Sequence, residues 1–181
     1  MNSIPAAKMV GNQPQQSEKL DHDTLYLEDM SIGDRWFSPW RDISADDVAE
    51  FAVLTGDNDP LHSDDALRSP FGEPIAHGLL GLSVLAGLSS RHPNAATLAL
   101  VGISDWQFES PIFFGDRVHV CTEVEQIQQH GRRSGRVTWI RQLINQNGKV
   151  VQRGRFVTLV ATRLRVRHPS GRNPSKSLPA R

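Results

Sequence analysis

The sequence predicts an α+β fold in which one long antiparallel sheet wraps around a single buried helix. Residues 77–90, HGLLGLSVLAGLSS, are almost wholly apolar, and a helix this apolar is buried on nearly every side. After it the hydrophobic period switches to two and holds to about residue 161, as half-buried strands require. The order is therefore strand, helix, loop, central helix, then four long strands joined as a meander. A sheet curled around one greasy helix satisfies that order.

Residues 1–24 are polar, rich in Asn, Gln, Ser and Pro, and lack sustained periodicity. They read as a tail, or as an arm docked on a neighbour. The compact part of the chain is expected over 25–165, followed by a basic C-terminal tail over 166–181. From Arg163 onward come Arg165, Arg167, Arg172, Lys176 and Arg181. Such a run reads as a solvated charge cluster, with contact to a phosphate-bearing ligand as the alternative.

Within the core, the first strand is expected over Asp34–Asp42, where Pro39 marks an edge or a bulge. Ser44 caps a helix with Asp46 and Asp47 in its first turn, Asp47 being placed for a capping box. Val48, Phe51, Ala52 and, more loosely, Leu54 form its apolar face, and Gly56 ends it. Pro60 biases Asp59 away from helical geometry, so GDNDPLH is a turn or loop. A weaker turn signal runs from Asp64 to Arg68.

The central helix carries Gly78, Gly81 and Gly87, each costing about 1 kcal/mol of helix propensity against alanine. Packing must offset that, and small residues let a surrounding sheet approach. Strands follow over Leu98–Phe108, Arg117–Ile127, Arg136–Ile144 and Val150–Ala161. Turns at Phe114-Gly115-Asp116, His130-Gly131 and Asn145–Gly148 separate the last of them. A meander around one helix leaves a sheet edge or an open face, so pairing with a second subunit is expected.

The 181 residues suit one domain with a sizeable core. Lys plus Arg equals Asp plus Glu, at 20 each, which argues against a general nucleic-acid or membrane-surface binder. The single cysteine, Cys121, cannot form an internal disulfide and is a poor basis for a metal site. It reads as a small apolar or edge residue of a strand in a reducing compartment. No apolar run approaches the roughly 20 residues that cross a bilayer. The N-terminus lacks the apolar core of a secretory signal, so a cytoplasmic protein is expected.

The chemistry concentrates in two segments, 51–62 and 71–78. Asp57 and His62 lie five apart across a proline-containing turn. An extended strand would hold them about 16 Å apart, whereas a turn can fold both side chains to one point. A carboxylate beside an imidazole is a competent acid–base pair. The bland alternative is that Asp57 caps a turn and His62 is a hydrogen-bonded structural residue.

His77-Gly78 opens the buried helix, where unpaired N–H groups and the positive dipole end project. A glycine there lets a carbonyl oxygen approach the amide, the geometry that stabilises an enolate oxyanion when a thioester loses or gains an α-proton. Simple packing is the alternative for Gly78. His77 reads as structural, since one imidazole–carboxylate pair suffices.

GDNDPLHSDDA, IAHGLLGLSVLAGL and DWQFESPIFFGDRV together resemble the MaoC-like dehydratases, which include the R-specific enoyl-CoA hydratases. Three separated motifs stand in the same order, and the resemblance covers about 45–160. It implies a hot-dog fold and a homodimer with active sites near the subunit interface. Asp57 and His62 fall on the family's catalytic aspartate and histidine, and Gly78 on the glycine whose amide polarises the thioester carbonyl. The implied reaction adds water to an enoyl thioester, or removes it from an (R)-3-hydroxyacyl thioester, carried by coenzyme A or an acyl carrier protein. No metal or redox cofactor is implied.

Two positions depart from the family pattern. Asp59 stands where Asn is common before the proline, adding a like charge near Asp57 or simply facing solvent. Ala86 stands where a hydroxyl is often found, with Ser83 one turn earlier. Both bear on acyl specificity more than on water chemistry. A hot-dog thioesterase is a competing reading, but thioesterases usually carry their carboxylate on the central helix, and residues 78–90 contain no Asp or Glu. A non-catalytic acyl-binding subunit is the third reading, opposed by intact Asp57 and His62.

Overall fold

Alternating apolar and polar side chains in the second half of the chain become one antiparallel sheet. This is seen in a computed structural model that describes residues 24–63 and 70–163. The turn expected at 64–68, the C-terminal tail and all but residue 24 of the N-terminal tail lie outside the described residues. The elements are β1 (Arg35–Phe37), β2 (Arg41–Asp42), α1 (Ala45–Thr55), α2 (Gly78–Leu88), β3 (Thr97–Phe108), β4 (Arg117–His130), β5 (Ser134–Asn145) and β6 (Val150–Ala161).

The strand order is β1-β4-β5-β6-β3, with β2 also paired to β4. The expected four-strand meander is thus corrected: β4, β5 and β6 form one, but β3 lies beyond β6 rather than beside β4. The reason is the segment between β3 and β4. Phe113 bridges Ile75, and Ala76 N–H donates to the Ile112 carbonyl at 2.8 Å. Bound to the lead-in of α2, this segment cannot close a hairpin, and periodicity alone does not report strand partners.

Local chemistry explains the first elements. The strand expected over 34–42 is split between β1 and β2. At the break, the Ser38 hydroxyl accepts from Val120 N–H at 2.8 Å, one residue before Pro39. Helix α1 starts with a reciprocal capping box: Ser44 Oγ accepts from Asp47 N–H at 3.0 Å, and the Asp47 carboxylate accepts from Ser44 N–H at 2.9 Å. It ends at Gly56 in the left-handed region, φ +78°. Val48 is buried and Phe51 and Ala52 are half-buried, but Leu54 is 81% exposed. Six residues past Val48 is about 120° off its face, so Leu54 does not belong to the apolar stripe.

Helix α2 packs against β4 and β5 of the sheet. Leu80, Gly81 and Leu85 are buried, and a side chain at Gly81 would overlap Gln152 and Ile112. Burial is one-sided, however: Leu79, Ser83 and Gly87, spaced one turn apart, are exposed in the single chain. Beneath the helix pack Val118, Val120, Val124, Val137, Trp139, Leu143, Phe156 and Val160, each at most 1% exposed. The Trp139 indole donates to Thr158 Oγ1 at 2.9 Å, so burying its nitrogen leaves no orphan. Strand β3 is the outer edge, and its Leu98, Leu100, Val101, Ile103 and Phe108 are 41–55% exposed.

Candidate active site

The site is assembled where the loop after α1 meets the N-terminus of α2. A short 3-10 turn, Pro60–His62, follows Asp59, whose carboxylate accepts from Leu61 N–H at 2.9 Å. Asp59 therefore caps this turn. Asp57 Oδ1 in turn accepts from Asp59 N–H at 3.3 Å, which is the turn-capping behaviour expected of an aspartate in such a loop. The loop is then stapled to the segment before α2, because Ile75 N–H donates to the Leu61 carbonyl at 3.0 Å.

Two histidines are oriented by backbone carbonyls. His62 Nδ1–H donates to the Ile75 carbonyl at 2.7 Å. His77, at the N-cap of α2 and 1% exposed, donates Nε2–H to the Asp57 carbonyl at 3.0 Å. Carbonyl oxygens only accept, so these contacts assign the tautomers. The unprotonated nitrogen of neutral His62 is Nε2, and that of neutral His77 is Nδ1, which has no partner. The two rings stack with centroids 3.7 Å apart and planes 30° from parallel. Phe51 backs His77 at 5.1 Å.

Donor atoms of Asp57, His62 and His77 all lie within 4.8 Å of one another. The structure thus brings the two sequence-predicted side chains together, Asp57 exposed and His62 half-buried. Beside them is a cavity of about 280 Å³ whose wall includes His62, Ile75, Gly78, Phe108, Ile112 and Gln152. Asp57 stands next to His62 without lining this cavity.

Gly78 is the first residue of α2, and the first intrahelical bond is Gly81 N–H to the His77 carbonyl at 3.2 Å. The Gly78 amide is therefore one of the helix's free N-terminal donors. A Cβ at this position would lie 2.9 Å from the ring of the exposed Phe108, so any larger residue here would have to displace that ring. Gln152 Nε2 donates to the Gly78 carbonyl at 3.0 Å and fixes the helix end to β6. Ser83 hydrogen-bonds back to the Leu79 carbonyl at 2.8 Å, and Ala86 packs half-buried against the core.

Sequence reasoning missed Phe108 and Gln152, whereas His77, read as structural, does anchor the loop through the Asp57 carbonyl. Gln152 had a signal: period two puts it on the face of Phe156, a polar residue at a core position. Phe108 had none, since an aromatic residue at a strand end is ordinary.

Residues 31–145 match the model of the MaoC like domain. The chain belongs to the MaoC-like family. It is 34% identical over 113 residues to the 3-hydroxybutyryl-CoA dehydratase of Methylorubrum extorquens, spanning 61% of this chain and 70% of that protein. Against the (R)-specific enoyl-CoA hydratase of Aeromonas caviae it is 36% identical over 87 residues, 47% of this chain and 64% of that one. The crystal structure of the MaoC-like dehydratase from Rhodospirillum rubrum superposes with a TM-score of 0.71 at 31% identity, covering 77% of this chain and 98% of that chain. A double hotdog protein of Mycobacterium tuberculosis, 19% identical, aligns over 83% of this MaoC-like chain and 46% of its own with a TM-score of 0.69. The fold is a hot-dog, with α2 as the filling.

Proposed function

We propose that this MaoC-like protein is a hydratase/dehydratase acting on an enoyl or (R)-3-hydroxyacyl thioester linked to coenzyme A or to an acyl carrier protein. One observation carries the reading. The Ile75 carbonyl holds the proton of His62 on Nδ1 and leaves its Nε2 free to act as a base, in a ring whose neighbours are Asp57 and His77, at a cavity that Gly78 also lines. The relatives' names, a dehydratase and a hydratase of CoA thioesters, support the same chemistry.

In this mechanism Asp57 and His62 hold one water. One of them removes a proton as the water oxygen bonds to the β-carbon, and the double-bond electrons shift to the thioester carbonyl. The Gly78 amide donates to that oxyanion. A proton then reaches the α-carbon, giving the 3-hydroxyacyl thioester. Run backwards, the same groups expel water. The pair and the amide supply acid, base and oxyanion support, so the proposal uses no metal or redox cofactor.

A hot-dog thioesterase is the competing reading, and it lacks a carboxylate on α2, whose sequence is GLLGLSVLAGL. A non-catalytic acyl-binding subunit would not need the His62 base. We propose a homodimer, supported by the exposed apolar edge of β3 and the uncovered stripe of α2. Among the described residues no helix is long and apolar enough to cross a membrane, and a cytoplasmic site is proposed from the free thiol of Cys121.

The test offers crotonyl-CoA and 3-hydroxybutyryl-CoA and follows the enoyl absorbance, with free thiol assayed in parallel. Hydration without thiol release is expected. Thiol release without hydration would establish the thioesterase, and neither reaction would leave the acyl-binding subunit.

A further inference from the structure

Beyond the mouth of the candidate site runs a second hollow. A groove of about 290 Å³ is lined by Glu109, Ser110, Lys149, Val150 and Arg153. Glu109 and Ser110 also line the cavity that holds His62 and Gly78, so the two hollows share a wall. Gln152 stands in the first and Arg153 and Lys149 in the second, on one stretch of chain. The step from Gln152 to Lys149 is about 10 Å of extended backbone, and the lysine side chain extends the span.

We infer that Lys149 and Arg153 form a subsite for the phosphate at the far end of the thioester's pantetheine arm. The inference rests on the thioester reading of the site. Its charges are arranged for an anion. Arg153 Nε pairs with Glu109 at 2.7 Å and, at 3.3 Å, with Gln107 Oε1, so the guanidinium is held in place but partly neutralised. The Lys149 ammonium forms no ion pair among the described residues and supplies the uncompensated positive charge.

The backbone that carries Lys149 is also fixed. Asn145 Oδ1 accepts from the amides of Asn147 and Lys149 at 3.1 and 3.0 Å, and Gly148 supplies the φ of +73° that closes the turn. The groove wall opposite is pinned as well, because Glu109 N–H and Ser110 N–H both donate to the Val151 carbonyl, at 2.9 and 3.2 Å. A cation on a pre-set turn loses less freedom when it meets a phosphate than one on a mobile loop. Coenzyme A and a carrier-protein arm present the same phosphate ester there, so the subsite serves either.

The experiment measures equilibrium binding, without turnover, of coenzyme A, 4′-phosphopantetheine and pantetheine to the full chain. Each is measured for wild type, Lys149→Glu and Arg153→Gln, with circular dichroism as the check on folding. Wild type is expected to bind the two phosphorylated ligands at least tenfold tighter than pantetheine. Lys149→Glu should erase that difference and Arg153→Gln reduce it severalfold, while pantetheine affinity stays unchanged. Added salt should weaken only the phosphorylated ligands.

Equal affinity of wild type for all three ligands overturns the assignment, as does an unchanged profile in Lys149→Glu. A loss confined to coenzyme A would move the contact to its nucleotide and overturns it equally. Because no turnover is read, a protein that binds in this phosphate-dependent way yet hydrates no enoyl thioester would keep the subsite and lose the hydratase reading. One that hydrates crotonyl-CoA with no phosphate dependence would do the reverse.

Discussion

His77 reaches back 20 residues to donate its Nε2–H to the backbone carbonyl of Asp57 at 3.0 Å. A buried ring at the start of α2 thereby sets the position of an exposed residue in the loop after α1. Loop and helix act as one unit around the cavity, and this coupling makes the site sensitive to a side chain that need not touch substrate.

Replacing His77 with Phe keeps a ring but removes the donor. We expect a loss of about 1–3 kcal/mol in urea unfolding, together with at least a tenfold fall in kcat measured where the variant remains fully folded. His77→Gln, which restores a donor, should recover part of the rate. Loss of stability with full kcat would make His77 a packing residue only.

Asp57→Asn and His62→Ala should each lower crotonyl-CoA hydration by about 10²–10⁴-fold, the usual effect of losing a positioned acid or base. Both side chains are at least partly exposed, so the fold should survive, as circular dichroism would report. Wild-type turnover in either variant would refute its assigned role.

Gly78→Ala is expected to destabilise by about 1–3 kcal/mol, because the new methyl would sit 2.9 Å from the Phe108 ring. Phe108→Leu should relieve that clash, and a double-mutant cycle in urea reads the coupling. Restored stability without restored turnover would separate packing from access to the amide. Additive losses would mean that the ring is not what demands glycine.

Arg141 is 8% exposed, faces the core from β5, and has no partner at Nε. Its guanidinium lies over the Phe156 ring at 4.5 Å, and burial pushes its pKa down to about 10, well below the usual guanidinium range. That shift corresponds to a cost of about 3 kcal/mol, of which a cation–π contact returns about 1–2. The unfolded chain holds the proton more tightly, so the cost is present throughout neutral pH and is relieved only as pH rises above about 10. Arg141→Met should therefore raise neutral-pH stability by about 1–2 kcal/mol in urea; a loss would show that the cation is satisfied.

Burial holds the pKa of His119 below that of a free imidazole, against Trp40 at 4.2 Å and Phe37 at 6.0 Å. Protons bind the unfolded state first, so this residue's contribution is intact above about pH 6.5 and falls as pH drops below it. His119→Phe should flatten that part of the stability–pH curve in thermal melts between pH 7 and 5. An unchanged slope would assign the acid sensitivity to other groups.

The local signals were legible because each has a short-range cause. Ser44, Asp47 and Gly56 bound α1 through their own hydrogen bonds and φ, and period two marked the four long strands. The convergence of Asp57 and His62 was readable from Pro60 and five-residue spacing. What was not readable depends on distant chain. The place of β3 is decided by Phe113 and Ile112 meeting Ile75 and Ala76, and the Gly78–Phe108 contact joins positions 30 residues apart that no pattern relates. The one-sided burial of α2 was hidden for the same reason, since Leu79, Ser83 and Gly87 are as small or apolar as the residues facing the core.

The bare rim of β3 also governs how the protein should behave on dilution. With five large apolar side chains at 41–55% exposure along one strand, an isolated chain would offer neighbours a ready hydrogen-bonding template. If a twin copy covers that rim, the melting temperature should climb with protein concentration, because mass action then contributes to folding. Preparations handled at nanomolar levels would lose activity through dissociation well before any single chain unravels.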